Sequence, residues 1–222
     1  MFDETFECGV SVIGLTETWL NDVTSDLYSL EGYGLIEKHR TNKIGGGVGL
    51  FVRNSINYKQ RADLLIFNDF CESLFIEIDK EVFGCEKNIA IGVMYRPPNH
   101  DINQFIECTK EILEKVHQEN KFLYLIGDFN INLLNVDSHN LTADFNDVIY
   151  SYGLIPLITR PTRVTETTAT LIDNIFTNKI VQYNESMYGI LVSDVSDHYP
   201  IFYINKILKQ KKTIVPIISP GI

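Results

Sequence analysis

The sequence has few cysteines and no long apolar run. The cysteines form no Cys-x-x-Cys pair, so their spacing indicates neither a zinc knuckle nor a disulfide framework, and we expect reduced thiols at Cys8, Cys71, Cys85 and Cys108. No apolar stretch of about 18 residues is present that would span a bilayer. The first ten residues carry three acids where a secretory signal would carry lysines. We therefore expect a soluble, intracellular chain with no membrane partner.

Basic residues are also in deficit. The chain has 19 lysines and arginines against 29 acids, which gives a formal net charge of −10. A protein that holds nucleic acid mainly by releasing counterions needs a surplus of basic residues, so this balance argues against that mode of binding. It does not exclude a metal-dependent nuclease, because a Mg²⁺ site concentrates carboxylates and the bound cation reverses the local field that a phosphate feels.

Internal repeats, low-complexity tracts and linkers rich in proline, glycine or serine are absent from the first 205 residues. The chain has 222 residues, 45% of them hydrophobic, which is enough for one sizeable core. We therefore expect a single domain over residues 1–205. Residues 206–222 are basic and then interrupted by proline, a composition typical of a tail or linker.

Short apolar or alternating runs bounded by turn residues predict many strands. They cover residues 10–16, 47–53, 73–78, 89–95, 122–126, 171–176, 189–192 and 200–204. Two segments instead have helical spacing: 102–116, which Asp101 or Asn103 would cap, and 141–152, which Gly153 would close. Many strands with few helices favour a layered α/β sandwich over a βαβ repeat.

The strongest local signal for chemistry is the segment KFLYLIGDFNINLL. Residues 122–126 form a continuous apolar run, as expected of a strand buried on both faces, and Gly127 ends it just before Asp128 and Asn130. Side chains two positions apart on extended backbone project the same way. Asp128 could then orient or deprotonate a water while Asn130 donates to a phosphate oxygen. The alternative is a turn in which both side chains only satisfy backbone groups.

Three weaker signals are polar residues that interrupt or flank apolar strands. In SDHYPIF, Asp197 and His198 precede a strand, and such a pair serves phosphate chemistry with a cationic ring or metal binding with a neutral one. Glu17 ends an apolar run in IGLTETWL and offers the carboxylate oxygen that Mg²⁺ prefers, although a strand-end glutamate is commonly a surface residue. Asp173 lies in the apolar segment TLIDNIF, where burial requires a partner such as His198; an edge-strand turn is the alternative.

The glycine cluster IGGGVGLF does not match a phosphate-binding loop. It lacks the Gly-Lys-Ser/Thr ending of a P-loop and the spacing of a dinucleotide-binding loop. We therefore predict a hairpin that leads into the following strand.

Six segments, taken in order, resemble the endonuclease/exonuclease/phosphatase superfamily: TETWL, GGGVGLFVRNSI, VMYRPPN, LIGDFNINLL, TLIDNIF and SDHYPIF. TETWL, the glycine-rich segment and YRPPN are more closely similar to the endonuclease domain of non-LTR (LINE-like) retrotransposon polyproteins. The resemblance implies a four-layer α/β sandwich of two packed mixed β-sheets flanked by helices. GVSVIGLTETWL begins only nine residues into the chain, so we expect the first strand of the family to be missing and FDETFEC to be a helix's last turn.

The resemblance also implies which residues meet the metal and the phosphate. Glu17 would be a metal ligand and Asp197 would complete the metal and phosphate site, with Mg²⁺ as the expected ion and Mn²⁺ as an alternative. Tyr95 and Asn130 would contact the scissile phosphate. Thr162, in the PTR segment, would supply a further hydroxyl to the phosphate.

The implied reaction is hydrolysis of a DNA phosphodiester. Asp128 would activate the attacking water, and Asp173 would orient His198. In a retroelement the nick would leave a 3′-hydroxyl that primes reverse transcription, so we expect DNA and a reverse transcriptase domain of the parent polyprotein as partners. A monomer that acts in the nucleus fits this reading. Two alternatives are a phosphatase of a small phosphoester and a catalytically impaired retroelement remnant.

Overall fold

The structure is a computed structural model, and it describes residues 9–41, 43–179, 186–193 and 196–205. Its strands are β1 Val12–Thr16, β2 Tyr33–Lys38, β3 Val48–Arg53, β4 Lys59–Gln60, β5 Glu72–Ile78, β6 Ile89–Tyr95, β7 Phe122–Asp128, β8 Ile155–Pro156, β9 Arg163–Val164, β10 Ala169–Thr170, β11 Asp173–Thr177, β12 Ser186–Ile190 and β13 Ile201–Asn205. Its α-helices are α1 Lys80–Phe83, α2 Ile102–Gln118 and α3 Asn140–Ser151.

A six-stranded mixed sheet forms the centre of the fold, in the order β4-β5-β6-β7-β11-β8. Strands β6 and β7 are parallel, and α2 supplies the crossover that a parallel pair requires. The flanking pairs are antiparallel. Strand β7 is covered on both faces, because Leu123 and Leu125 belong to the core on the helix side while Tyr124 belongs to the core on the other side. The strand predicted over residues 122–126 is therefore confirmed.

The two long helices cover one face of this sheet. The buried positions of α2 recur at helical spacing and are Phe105, Ile106, Thr109, Ile112, Leu113 and Val116. Asp101 caps α2, since its side chain accepts a hydrogen bond of 2.8 Å from the backbone N–H of Asn103. Gly153 follows α3 with a φ of 72°, the left-handed conformation that commonly ends a helix. Both predicted helices are confirmed.

A second layer packs on the opposite face of the central sheet. It contains a three-stranded antiparallel sheet in the order β1-β3-β2, and Leu50 of β3 shares a buried cluster with Leu74 of β5. The β12–β13 hairpin covers the part of the face formed by β7 and β11. There the rings of Tyr124 and Tyr203 are 5.1 Å apart.

This architecture confirms the predicted α/β fold with packed sheets and few helices. The two sheet layers and the α2–α3 helix layer are seen in the described residues; the six-stranded sheet is mixed and the three-stranded sheet is antiparallel. Strand β2 was not predicted, but its pairing with β3 confirms the hairpin around the glycine cluster. The segment FDETFEC and the tail 206–222 lie outside the described residues. Within the described residues, no helix is both long and apolar enough to cross a membrane.

Candidate active site

Three neighbouring strands of the central sheet carry polar side chains at matching register positions, and these side chains form a row across the sheet. Tyr95 of β6 is the register partner of Asp128 of β7, and Asp128 is in turn the partner of Asp173 of β11. Residues directly opposite each other in a sheet share a face and lie close together. Gly127 permits this approach, because a Cβ at that position would overlap the carbonyl oxygen of Met94 in β6.

His198 extends this row beyond the sheet. Its Nδ1 lies 3.1 Å from Oδ2 of Asp173, so the pair expected from the sequence is in hydrogen-bonding contact. Asp128, Asp173 and His198 offer ligand atoms that all lie within 4.8 Å of one another. The hydrogen bond with Asp173 raises the pKa of His198, and the charges of Asp173 and Asp128 raise it further. The ring therefore favours its cationic form, which suits an interaction with a phosphate.

Asp128 is the most deeply buried acid of this row, with 5% of its surface exposed. Burial raises its pKa to about 7 from the usual 3.8, and the charge of Asp173 contributes in the same direction. The backbone N–H of Asn130 donates to Oδ1 of Asp128 at 3.0 Å and partly opposes the shift. A carboxyl group that titrates near neutral pH is suited to accept a proton from water.

The side chain of Asn130 is held between two protein acceptors. Its Nδ2 donates to Oδ2 of Asp128 at 3.2 Å and to the carbonyl oxygen of Arg96 at 2.8 Å. Donation to a phosphate oxygen therefore requires one of these bonds to be exchanged. The buried guanidinium of Arg96 donates to the carbonyl oxygens of Phe129 and Asn130 and so secures the turn after β7. Sequence reasoning missed Arg96, whose only signal was a cation directly after the apolar strand β6.

A second part of the site, here called the Glu17 branch, is joined to the row by the hydrogen bond between Tyr95 and Glu17. The hydroxyl of Tyr95 donates to Oε1 of Glu17, while Oε2 accepts from Trp19 Nε1 at 2.7 Å and from the backbone N–H of Gly46 at 2.9 Å. Burial and the Glu17 carboxylate raise the pKa of Tyr95 above its usual range, so the phenol remains a hydrogen-bond donor. Glu17 itself has a φ of 52°, a left-handed conformation that is uncommon outside glycine.

The glycine cluster supports this branch. Gly45, Gly46 and Gly47 all have positive φ angles, and the N–H of Gly47 donates to Oε2 of Glu72 at 2.6 Å. Glu72 is fully buried, it is paired with Arg40, and its burial raises its pKa. The cluster is a hairpin, as predicted, but it also orients two carboxylates. Sequence reasoning missed Glu72, although an acid at the start of an apolar strand was the signal.

Hydrogen bonds of Thr162 join the SDHYPIF segment to β11. The buried Oγ1 of Thr162 accepts from the N–H of Asp173 at 3.1 Å, and its carbonyl oxygen accepts from the N–H of Tyr199 at 2.7 Å. Asp197 is exposed, and Arg163 Nε donates to its Oδ2 at 2.7 Å, which lowers its pKa. Thr162 thus positions Asp173, while its phosphate contact and the metal ligation by Asp197 stay predictions.

The donor set of this site fits a divalent cation. Carboxylates outnumber cations in it: the acids are Glu17, Glu72, Asp128 and Asp173, and the cations are Arg40, Arg96 and His198. The raised pKa values of Asp128 and Glu72 show that both carboxylates lie in surroundings that disfavour their charge. Oxygen ligands in an acidic cluster are what Mg²⁺ requires, and a bound cation would stabilise the ionised carboxylates that burial disfavours.

Three solved structures are similar to this chain in fold. The endonuclease domain of TRAS1, a telomere-specific non-LTR retrotransposon, is similar over 90% of this chain and 88% of its own, with a TM-score of 0.66 and 16% identity. The 3′-5′ exonuclease NExo from Neisseria meningitidis is similar over 88% and 89%, with a TM-score of 0.65 and 12% identity. An AP endonuclease from Archaeoglobus fulgidus is similar over 88% of both chains, with a TM-score of 0.56 and 12% identity.

A comparison of the sequence with protein-family models identifies the family. No curated protein matches the chain significantly. The model of the Endonuclease/Exonuclease/phosphatase family, however, matches residues 4–198, which include every side chain of the row from Tyr95 to His198. The chain belongs to the endonuclease/exonuclease/phosphatase family.

Proposed function

We propose that this chain is a metal-dependent DNA endonuclease that hydrolyses a phosphodiester by attack of water on phosphorus. The observation that carries the proposal is the buried Asp128, whose pKa is about 7, between the Asp173–His198 pair and Asn130. The similarity in fold to the TRAS1 endonuclease domain and the retroelement-like motifs support DNA as the substrate.

Four side chains have separate roles in the proposed reaction. Asp128 in its ionised form accepts the proton of the attacking water, because it is the buried base of the row. His198, kept cationic by Asp173, stabilises negative charge on the phosphate oxygens as the water attacks. Tyr95 and Asn130 donate hydrogen bonds to the phosphate and orient it for in-line attack. Each gives up a bond within the protein to do so: Tyr95 exchanges Glu17 Oε1 for a phosphate oxygen, and Asn130 exchanges one of its two acceptors. No covalent intermediate with the protein is required, since water is the nucleophile. As the water oxygen bonds to phosphorus, the bond from phosphorus to the 3′ oxygen breaks, and that oxygen takes a proton from solvent and leaves as the 3′-hydroxyl.

Mg²⁺, or Mn²⁺ in its place, is the expected cofactor. Glu17 would hold it, because Oε1 of Glu17 accepts a described hydrogen bond from Tyr95 alone and has a lone pair left. Asp197 is the second proposed ligand, and Arg163 binds only one of its oxygens at 2.7 Å. When bound, the ion would polarise a phosphate oxygen and offset the charge of the surrounding carboxylates.

In the retroelement setting the reaction nicks target DNA. The nick leaves a 3′-hydroxyl that primes synthesis by a reverse transcriptase domain of the same polyprotein. Chromosomal DNA as the target places the reaction in the nucleus. One domain holds all the proposed catalytic residues, so a monomer suffices.

Nicking of supercoiled plasmid in the presence of Mg²⁺ tests the proposal. Asp128→Ala and His198→Ala should each lower the nicking rate by about 100-fold or more, since each removes a group that transfers or stabilises charge. Asp144→Ala, which changes an exposed acid on α3, is the matched control and should nick like the wild type. A folded wild-type chain that does not nick, or active-site variants as fast as the control, contradicts the proposal.

The same protein samples separate the two alternatives. Release of phosphate from an inositol phosphate without plasmid nicking would identify a phosphatase of small phosphoesters. A chain that folds by circular dichroism but neither binds Mg²⁺ in calorimetry nor cleaves either substrate would be a catalytically impaired remnant.

A further inference from the structure

An open cleft of about 310 Å³ lies beside the Glu17 branch of the site. Trp19, Arg40, Lys43, Ile44 and Gly45 are among the residues that line it. The cleft is distinct from the row formed by Tyr95, Asp128, Asp173 and His198, and none of the proposed catalytic steps uses it.

Trp19 is exposed and yet held in one orientation. The residue is 62% exposed. Its Nε1 nevertheless donates to Glu17 at 2.7 Å, and its backbone N–H donates to the carbonyl oxygen of Gly46 at 2.9 Å. Gly45 lies against the indole, where even a Cβ would be 3.9 Å from the ring. An aromatic surface that is held by its indole N–H and by the backbone N–H of its residue, and that is open to solvent, is preorganised for stacking, because little conformational entropy remains to be lost.

Arg40 gives the cleft a polar side. Its Nε is paired with Glu72, whereas its Nη2 is buried and has no hydrogen-bond partner among the described residues. A buried donor without an acceptor is costly, so a shift of the Arg40 side chain that exposes Nη2 to a ligand oxygen in the cleft gains a full hydrogen bond. Lys43 adds a second cation at the rim, where it is paired with the exposed Asp69 at 2.6 Å.

An aromatic face, a free guanidinium nitrogen and a rim cation together match a nucleotide. Bases stack on aromatic side chains for about 1–3 kcal/mol each, whatever their identity. The acceptor oxygens of a base edge or of a phosphate match Nη2 of Arg40. An apolar peptide would cover Trp19 and Ile44 but would leave that nitrogen unpaired. Both cations are already paired, Arg40 with Glu72 and Lys43 with Asp69, so the aromatic face and the unpaired Nη2 select the ligand rather than a surplus of positive charge.

We infer that this cleft is a nucleobase subsite, in which an unstacked base beside the scissile phosphodiester stacks on Trp19 while an oxygen of its nucleotide meets Arg40 Nη2. This inference rests on the proposed cleavage of DNA. Position supports it, because the Glu17 carboxylate touches both the indole of Trp19 and the hydroxyl of Tyr95, and so joins the cleft to the phosphate site.

Trp19 is the only tryptophan of the chain, so its fluorescence reports on this cleft directly. The wild-type protein is titrated in EDTA with a 12-nucleotide single-stranded DNA, and the anisotropy of an end label measures binding in parallel. We expect binding to quench the fluorescence by stacking. An oligonucleotide of equal length whose central residues are abasic should bind through its phosphates without quenching.

Variants test the same cleft through binding alone. Trp19→Ala should weaken binding of the normal oligonucleotide about tenfold, which corresponds to 1.4 kcal/mol of stacking, and should leave the abasic one unchanged. Trp19→Phe should restore most of the loss. Tyr150→Ala, an exposed aromatic residue on α3, is the matched control and should bind like the wild type.

Two failures are distinguishable. If the oligonucleotide binds without quenching and Trp19→Ala binds equally well, the subsite is overturned while the proposed nuclease function stands. If the wild type neither binds the oligonucleotide nor nicks plasmid, the subsite and the proposed function both fail.

Discussion

Arg96 and Asn130 hold each other through two reciprocal hydrogen bonds. Nδ2 of Asn130 donates to the carbonyl oxygen of Arg96 at 2.8 Å, and Nη2 of Arg96 donates to the carbonyl oxygen of Asn130 at 2.7 Å. Arg96 Nε adds a bond of 2.9 Å to the carbonyl oxygen of Phe129. The end of β6 therefore fixes the turn that carries Asn130, and Arg96 acts on the proposed chemistry only through position.

Arg96→Lys should damage both stability and activity. A single ammonium group cannot reach all the carbonyl oxygens that the guanidinium fork satisfies, so buried acceptors lose their partners. We expect the free energy of unfolding in urea to fall by about 2 kcal/mol and the nicking rate of the folded variant to fall at least about tenfold. Arg160→Lys, an exposed arginine, should change stability by less than about 0.5 kcal/mol. Equal effects of the two substitutions would contradict the positioning role of Arg96.

The central strands were predictable because their patterns are local. Residues 89–95 form an unbroken apolar run, and the structure gives β6 the same bounds, Ile89–Tyr95. The run at 122–126 likewise became β7, extended by two residues to Asp128. Strand β2 escaped prediction because nearly all of its residues are half-buried, which produces no clear alternation of apolar and polar residues.

Local patterns indicated Asp128 as a candidate, the family resemblance alone indicated Tyr95, and neither indicated the residues that support the site. Asp128 follows an apolar run, so a local pattern marks it. Gly46 supports Glu17 across 29 positions of sequence, and Gly47 binds Glu72 across 25. Contacts of this kind depend on the register and packing of distant strands, which local periodicity does not determine. The sequence therefore predicted the hairpin at the glycine cluster but not the hydrogen bonds of Gly46 and Gly47 to the two carboxylates.

Asp128→Asn should stabilise the fold at high pH while it removes activity. The pKa of Asp128 is about 7 in the fold against an ordinary value of 3.8, so its contribution to stability is complete below pH 3.8 and is lost as the pH rises through about 7. The amide has no charge to bury. In EDTA we expect the variant's Tm to exceed that of the wild type at pH 8 by about 4 °C, and by much less at pH 5. Differential scanning calorimetry at both values measures this, and a difference that does not grow with pH would contradict the assigned pKa.

Cys108 should be the most reactive of the described cysteines at neutral pH. A hydrogen bond with Cys71 lowers the pKa of Cys108 to about 7, and Asn68 contributes as a further donor. Cys71 is fully buried and its pKa is raised, first by the same hydrogen bond. Iodoacetamide at pH 7 should therefore label Cys108 before Cys71 and Cys85, as read by peptide mass spectrometry. Cys71→Ala should slow the labelling of Cys108 about tenfold, and an unchanged rate would show that Cys71 does not activate it.

Gly127→Ala should separate β6 from β7 and so disconnect Tyr95 from Asp128. A Cβ at Gly127 would overlap the carbonyl oxygen of Met94, which is backbone and cannot move aside without the strand. We expect the free energy of unfolding to fall by about 3 kcal/mol or more and nicking to be lost. The matched control is Gly84→Ala, where the φ of 62° disfavours alanine but no atom lies within 4 Å of the new Cβ. That substitution should cost only about 1 kcal/mol and keep activity, because its strain is local to the end of α1. Urea unfolding compares the two, and equal costs would show that the close approach at Gly127 does not hold the site together.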